Sequence, residues 1–431
     1  MTAKRINVVT LGCSKNLVDS EKMMKQLQIG GYEVVHDDPR GDASIVIINT
    51  CGFISDAKEE SIGTILKYVK ARKAGNLDKL FVTGCLSQRY SEDLRKEIPE
   101  VDEYFGVNSL PDIITSLRAN NQNAAEGDRV LTGPGHYAYL KVSEGCDKKC
   151  AFCAIPMIRG RHISRPFEEI LDEAAILSEK GVKELILIAQ DLTYYGMDIY
   201  GKRSITELVQ KLDALNNFEW IRLHYLYPSS FPLPLLSIIR DLPRVCRYID
   251  LPVQHISDRV LKNMARSHSA TATRSLLGKI RKEIPGAAIR TTLIVGHPGE
   301  EEADFAQLRD FVREFRFDRL GVFTYSHEEN TPAGNRYDDL IAQEVKEARQ
   351  SEIMAIQQEI SSELNSKMVG RSLPVMIDRR EGEWLVGRTE YDSPEIDQEV
   401  LIPFSAKIQT GTINQVKIKS SDDFDLFGEL I

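Results

Sequence analysis

The sequence predicts an α/β protein in three parts. These are an amino-terminal parallel α/β domain, a partial (β/α)6 barrel and a small carboxy-terminal five-stranded β-barrel. Three observations predict it. Short apolar runs alternate with helical patterns over residues 1–125, the rhythm of a parallel sheet covered on both faces. The same alternation recurs on a larger scale from residue 136 to about 335. Beyond Arg371 the pattern becomes short strands separated by turns.

In the first part, Ile6–Leu11, Ile45–Ile48 and Leu80–Val82 read as strands, and Asp19–Leu27 and Glu59–Val69 as helices. The polar stretch Asn120–Gly135, rich in Asn, Ala and Gly, suits a linker. The second part offers strands at Tyr139–Val142, Glu184–Ala189, Trp220–Tyr225, Tyr248–Leu251, Ile289–Val295 and Leu320–Phe323. Phe167–Glu179 is one of the intervening helices, opened by Pro166 near its first turn. Six such units favour a partial barrel over a full eight. Ile341, Val345, Ala348, Ile356, Ile360 and Leu364 mark one face of a long linking helix that breaks near Gly370. The last part divides into Leu373–Ile377, Trp384–Arg388, Glu399–Ile402, Thr412–Lys419 and Asp425–Leu430, five strands of a small barrel. Domains are therefore expected at 1–125, 136–365 and 368–431.

The chain has 431 residues, 42% of them apolar and 28% charged, which is a globular composition. A net charge of −9 provides no global basic field for nucleic acid. No stretch approaches the roughly 20 consecutive apolar residues of a membrane span. Met-Thr-Ala-Lys-Arg-Ile leads into a strand pattern without an apolar signal region. The expectation is a cytoplasmic protein with no membrane partner. In such a reducing compartment, seven cysteines favour metal binding or catalysis over disulfides.

Cys146, Cys150 and Cys153 stand in Glu144-Gly-Cys-Asp-Lys-Lys-Cys-Ala-Phe-Cys, a CxxxCxxC triplet just past an apolar run. Three close thiolates can hold three corners of one 4Fe-4S cube, because each iron takes a soft thiolate. The fourth iron is then open to bind something else. The alternatives are a loop of buried structural thiols or a zinc knuckle. Cys13, Cys51 and Cys85 form a second set, far apart in sequence but each following a predicted strand. The carboxyl ends of neighbouring parallel strands converge on one crevice, where these thiols could hold a second cube, although each taken alone reads as an ordinary buried thiol. Cys246, in a surface-like Pro-Arg-Val-Cys-Arg run, reads as structural.

The CxxxCxxC loop with Phe152 before its last cysteine resembles the radical S-adenosylmethionine enzymes. With Cys13, Cys51 and Cys85 ahead and a small TRAM-like barrel behind, the whole chain resembles the methylthiotransferases of that superfamily. One branch modifies an adenosine of tRNA, and the other modifies an aspartate of small-subunit ribosomal protein S-twelve. Leu11-Gly-Cys-Ser-Lys-Asn-Leu-Val-Asp-Ser-Glu, Asn49-Thr-Cys-Gly-Phe-Ile, Thr83-Gly-Cys-Leu-Ser-Gln-Arg-Tyr and the run Glu144–Arg165 resemble the ribosomal-protein branch. Ser14 stands where that branch more often has proline, and His297 where an aromatic is usual. Residues 368–431 carry seven Lys/Arg and twelve Asp/Glu, a balance of 7 − 12 = −5. Such a barrel suits a basic ribosomal protein better than RNA.

The resemblance implies a methylthio group placed on the β-carbon of an aspartate of S-twelve, free or on the small subunit. The alternative is a tRNA adenosine methylthiotransferase; under the preferred reading no direct tRNA substrate is expected. An unactivated C–H bond calls for a radical, and cofactors carry such chemistry. The resemblance implies two 4Fe-4S clusters and two S-adenosylmethionine molecules per turnover, with sulfide as the sulfur source. An external electron donor, such as a flavodoxin or ferredoxin, is implied as well. The Cys146, Cys150 and Cys153 cluster is then the radical source, and the Cys13, Cys51 and Cys85 cluster donates sulfur. Phe152 is expected near the adenine. Gln190, Asp191, Gln254, His255, Arg290 and Gly296, with Gly299, lie near predicted strand ends and are candidate contacts to cofactor or substrate.

Overall fold

Ile45-Val-Ile-Ile-Asn-Thr forms a strand in which all six residues are buried, as a central parallel strand covered on both faces requires. Around it lie β1 (Arg5–Thr10), α1 (Ser14–Ile29), β2 (Glu33–His36), β3 (Ile45–Thr50), α2 (Ser55–Lys73), β4 (Lys79–Gly84), α3 (Cys85–Glu97), β5 (Glu103–Tyr104) and α4 (Leu110–Ser116). The sheet runs β2-β1-β3-β4-β5, parallel throughout. Alternate residues feed two cores. Val9, Val46, Ile48 and Val82 pack on Ile65 and Val69 of α2. Ile6, Val8, Ile45, Ile47 and Phe81 pack on Met23, Met24 and Leu27 of α1. The chain therefore leaves β1 across one face and β3 across the other, which makes β1/β3 the switch point of the sheet.

The computed structural model describes residues 4–117, 119 and 127–431. The sheet belongs to a unit of Met1–Gly133, Tyr139–Lys148 and Ala154–Ile176; a second unit holds Pro134–Ala138, Lys149–Cys153 and Leu177–Ile431. Of the expected linker Asn120–Gly135, residues 120–126 lie outside the described residues. The part that follows is no free linker. Arg129 is wholly buried, 3.2 Å from Glu21 and 3.0 Å from Glu173, and Thr132 donates its amide to Glu21 Oε1 across 3.0 Å.

In the second unit, Glu184–Ile188 pairs with Trp220–Leu223, and Tyr248–Asp250 with Ala288–Val295 and then Arg319–Thr324, all in parallel. The bridge Ile221↔Val245 and the Leu226 amide to Asp250 carbonyl bond of 2.9 Å join these five strands into an open arc. Cys246 is buried, not surface-like: it packs with Trp220, Tyr248, Ala288 and Met376.

The linking helix runs Gln343–Ser366, and its buried face keeps Ile356 and Ile360 of the apolar stripe but turns away from Val345 and Ala348. Lys346, Arg349, Ile353, Ile356, Gln357, Ile360 and Asn365 are buried, whereas Val345 is exposed. Two charged residues turn inward because anionic and carbonyl partners await them: Glu300 for Arg349, Asp339 and the Tyr325 carbonyl for Lys346.

The carboxy-terminal strands Ser372–Glu381, Trp384–Arg388, Val400–Pro403, Ile413–Ser421 and Leu426–Leu430 close a five-stranded barrel. Its acidic excess faces water less than the composition suggests. Asp378 lies 2.9 Å from Arg388 and 2.7 Å from His136, Asp392 accepts from Arg319 Nε at 3.0 Å, and Asp397 lies 3.5 Å from Arg290. Among exposed residues, five acids (Glu381, Glu383, Glu395, Asp422, Glu429) are balanced by five bases (Arg371, Arg380, Lys407, Lys417, Lys419). The −5 balance is spent largely on internal ion pairs, so it carries no argument about the substrate.

Candidate metal centres

The carboxyl ends of β1, β3 and β4 each release a cysteine. Cys13 is the N-cap of α1, Cys51 directly follows β3, and Cys85 opens α3. Two of the three thiols thus sit at helix N-termini, where the helix dipole favours a thiolate. Gly12, at φ +89°, permits the approach: a Cβ there would lie 2.6 Å from Cys51 Cβ. Ser61 fixes the Cys51 backbone, accepting from its amide at 3.1 Å and donating to its carbonyl at 2.8 Å. Cys13 is exposed, Cys51 half-buried and Cys85 buried.

Burial pushes the Cys85 thiol up to about 12, with the Arg159 guanidinium pulling it back. Burial raises Cys51 as well. Such thiols stay protonated in neutral water and ionise when a metal cation binds the sulfur and the proton is released to solvent. Among the described residues no trio of Cys, His, Asp or Glu closes on a single metal ion. Three soft thiol donors, each delivered by its own strand end, fit an iron–sulfur cluster, which takes one thiolate per iron.

Arg159 is the cation of this site. Its Nη2 lies 3.7 Å from Cys85 Sγ and 2.5 Å from Asn16 Oδ1, and its Nη1 lies 3.0 Å from Asp19 and 2.9 Å from Glu144. Lys141 joins the same two carboxylates. Burial alone would raise the Glu144 carboxyl, but Lys141 and Arg159 outweigh it and hold it at about 2. Beside the group opens a cavity of about 210 Å³, lined by Asp19, Lys22, Asn49, Thr83, Gly84 and Arg159 among others.

The CxxxCxxC loop passes from one unit to the other at Lys148–Lys149. In the first unit, Cys146 donates its amide to the Gly160 carbonyl at 3.1 Å and accepts the Lys148 amide on sulfur at 3.4 Å. In the second, Cys150 Sγ lies 3.4 Å from Arg266 Nη1 and 3.7 Å from the Tyr227 hydroxyl. Arg266 stacks on the Tyr227 ring at 4.1 Å. The Cys153 amide donates to the Cys150 carbonyl across 3.1 Å.

The barrel's strand ends bring several predicted residues to this loop. Phe152 packs with Ile294, Tyr325 and Tyr337. Gln254 donates its amide to Thr292 (2.9 Å) and accepts from Ile294 (2.8 Å), in a left-handed conformation at φ +70°. Gly296 follows Val295 at φ +75°, and its amide donates to Glu300 Oε2 at 2.9 Å. The buried Gln254 Oε1 and Tyr325 hydroxyl have no hydrogen-bond partner among the described residues, so polar atoms remain at this edge for a polar ligand. Gln190, half-buried, and Asp191, buried with Oδ1 2.6 Å from Thr193 Oγ1, follow Glu184–Ile188 at the same strand-end level. His255 lies behind, 3.6 Å from Glu300.

Arg290 does not join them. It is the third residue of Ala288–Val295 and lies roughly 20 Å of extended strand before Gly296, with its guanidinium 2.9 Å from Asp250. Its place is the ion-pair cluster with Asp397. Sequence reasoning also passed over Arg159, Arg266 and Glu300. Arg159 lies inside the quoted run Glu144–Arg165 and Glu300 closes Gly296-His-Pro-Gly-Glu, but only folding shows their partners.

The chain matches three family models: uncharacterized protein family UPF0004 over residues 5–106, the radical SAM superfamily over 140–312 and the TRAM domain over 369–431. It is 52% identical over 432 residues to the ribosomal protein uS12 methylthiotransferase RimO of Bacteroides fragilis, covering 100% of both chains. It is 54% identical over 426 residues to that of Christiangramia forsetii, covering 99% of this chain and 94% of the other. The fold resembles the radical S-adenosylmethionine methyltransferase TsrM of Kitasatospora setae, with a TM-score of 0.57 at 14% identity over 77% of each chain. An open parallel βα arc, the CxxxCxxC sequence and the match over residues 140–312 define the class, the radical S-adenosylmethionine proteins. Identity of this extent along the full length narrows it further. The chain belongs to the RimO family of ribosomal protein uS12 methylthiotransferases.

Proposed function

We propose that the protein replaces a hydrogen on the β-carbon of an aspartate of ribosomal protein uS12 with a methylthio group. The observation that carries this reading is identity above 50% to RimO proteins along the entire chain. Relatives of this closeness do not favour the tRNA alternative. The reading includes two clusters, one on Cys146, Cys150 and Cys153 and one on Cys13, Cys51 and Cys85. It also includes two S-adenosylmethionine molecules per turnover, sulfide as the sulfur source and a reducing protein such as a flavodoxin or ferredoxin. The radical cluster with S-adenosylmethionine supplies, when bound, the carbon radical that an unactivated C–H bond requires.

The chain's own residues then bind, orient and shield. Phe152 offers an apolar face next to Ile294 and Tyr325. Gly296 brings backbone close, because a side chain there would meet Lys346 Cγ at 2.3 Å. Gln254 Oε1 and the Tyr325 hydroxyl supply polar contacts. Burial pushes the Tyr325 hydroxyl up to about 12, which keeps it a donor at neutral pH. Arg266 and Tyr227 hold the Cys150 sulfur in place.

The test offers purified, anaerobically reconstituted protein both uS12 and unmodified tRNA, followed by mass spectrometry of each. A methylthio group on the uS12 aspartate with unchanged tRNA is the expected result. Modified tRNA with untouched uS12 overturns the proposal.

A further inference from the structure

Arg159 closes the short helix Ile155–Arg159, and its side chain is 2% exposed. Taking a guanidinium out of water is costly unless buried partners compensate. Here Asp19 and Glu144 compensate both Arg159 and Lys141, so the four charges sum to zero before any thiol ionises. Lys141 alone reaches both carboxylates and could staple these segments without help. What Arg159 adds is the Nη2 edge, which leaves the carboxylates behind and points at Cys85 Sγ, 3.7 Å away, and at Asn16 Oδ1. Asn16 in turn donates to the Leu11 and Thr50 carbonyls at 2.8 and 3.1 Å, ahead of Cys13 and Cys51. The guanidinium is thereby fixed to the backbone that delivers two of the thiols and to the sulfur of the third.

We infer that Arg159 is a positioning residue for the cluster on Cys13, Cys51 and Cys85, raising its reduction potential through an N–H···S bond to Cys85 and a buried positive charge. The inference rests on the two-cluster reading proposed above. Reduction adds negative charge to a cluster, and hydrogen bonds to its sulfurs with a nearby cation favour that state. A neutral side chain at position 159 therefore makes this cluster harder to reduce.

The experiment uses the full-length chain with Cys146, Cys150 and Cys153 replaced by alanine, so that only the amino-terminal cluster is present. The protein is reconstituted anaerobically with iron and sulfide, and its potential is followed by electron paramagnetic resonance during dithionite titration. Arg159→Lys, Arg159→Gln and the charge-balanced Arg159→Gln/Glu144→Gln are compared, with melting temperature as the check on fold. Loss of one charge-assisted hydrogen bond is worth about tenfold in the reduction equilibrium, or about 59 mV for one electron. The charge-balanced Arg159→Gln/Glu144→Gln, which loses only the hydrogen bond, is expected to fall by about this much, Arg159→Gln by more, and Arg159→Lys, which keeps the charge but not the planar fork, by less. Loss of iron with an unchanged melting temperature also supports the inference. An unchanged potential, whether or not the melt falls, makes Arg159 a structural staple and overturns it. If the alanine background takes up no iron at all, the two-cluster reading has failed and the inference falls with it.

Discussion

Arg349 Nη1 lies 2.8 Å from Glu300 Oε1, and Glu300 Oε2 accepts the Gly296 amide. The linking helix thus grips the turn after Val295, with the Lys346 stem laid against Gly296 Cα. Removing a hydrogen-bond partner from a buried charged group costs about 1.5–3 kcal/mol. Arg349→Gln is therefore expected to weaken S-adenosylmethionine binding about tenfold while iron content stays at the wild-type level. Equilibrium dialysis with the reconstituted variant checks this.

Three histidines of the second unit, His255, His268 and His297, predict a fall in stability under mild acid. Burial lowers His255 from 6.5 to about 3, and His268 and His297 to about 4. A folded state that binds protons less readily than the unfolded chain keeps its full stability above pH 6.5 and loses it as pH drops toward 4. Glu300 works against this. Burial raises it to about 7, so its contribution is present below 4.5 and lost as pH rises through 7. The histidines outnumber it, and the melting temperature is expected to drop between pH 7 and pH 5. His255→Gln should give a shallower slope over that range.

The two thiol sets are expected to fail differently. Cys150→Ala should abolish 5′-deoxyadenosine formation and product together. Cys51→Ala should still form deoxyadenosine but transfer no methylthio group. Chromatography of the nucleoside and mass spectrometry of uS12 report the two outcomes separately.

Glu184 is wholly buried and faces two arginines: Arg222 Nε at 2.7 Å and Arg388 Nη1. Removing one partner of a buried ion pair leaves charge uncompensated, at a cost of about 3–5 kcal/mol. Glu184→Gln should lower the urea midpoint accordingly, followed by the fluorescence of Trp220, which lies in the same strand as Arg222.

The fold was legible wherever apolar residues decide structure. Ile45–Thr50 and Glu184–Ile188 are buried at every position, so a continuous apolar run marks them without tertiary knowledge. Glu33–His36 was missed because it is an edge strand, only partly buried, and Glu103–Tyr104 because two residues make no pattern. The thiols were legible from spacing and strand ends. Charged residues were not: Arg290, Arg349 and Arg159 take their meaning from partners tens to more than a hundred positions away, such as Asp250, Glu300 and Asp19. The buried face of Gln343–Ser366 is legible at Ile356 and Ile360 but not at Lys346 and Arg349, which read as solvent-facing until their partners are known.

The proposed function requires each thiol triad to hold one iron–sulfur cluster. Iron and sulfide per chain decide it most directly, measured after anaerobic reconstitution of the wild type and of two variants. One variant replaces Cys13, Cys51 and Cys85 with alanine, and the other Cys146, Cys150 and Cys153. The wild type should carry twice the iron of either variant. Equal iron in the wild type and one variant, or zinc in place of iron, contradicts it.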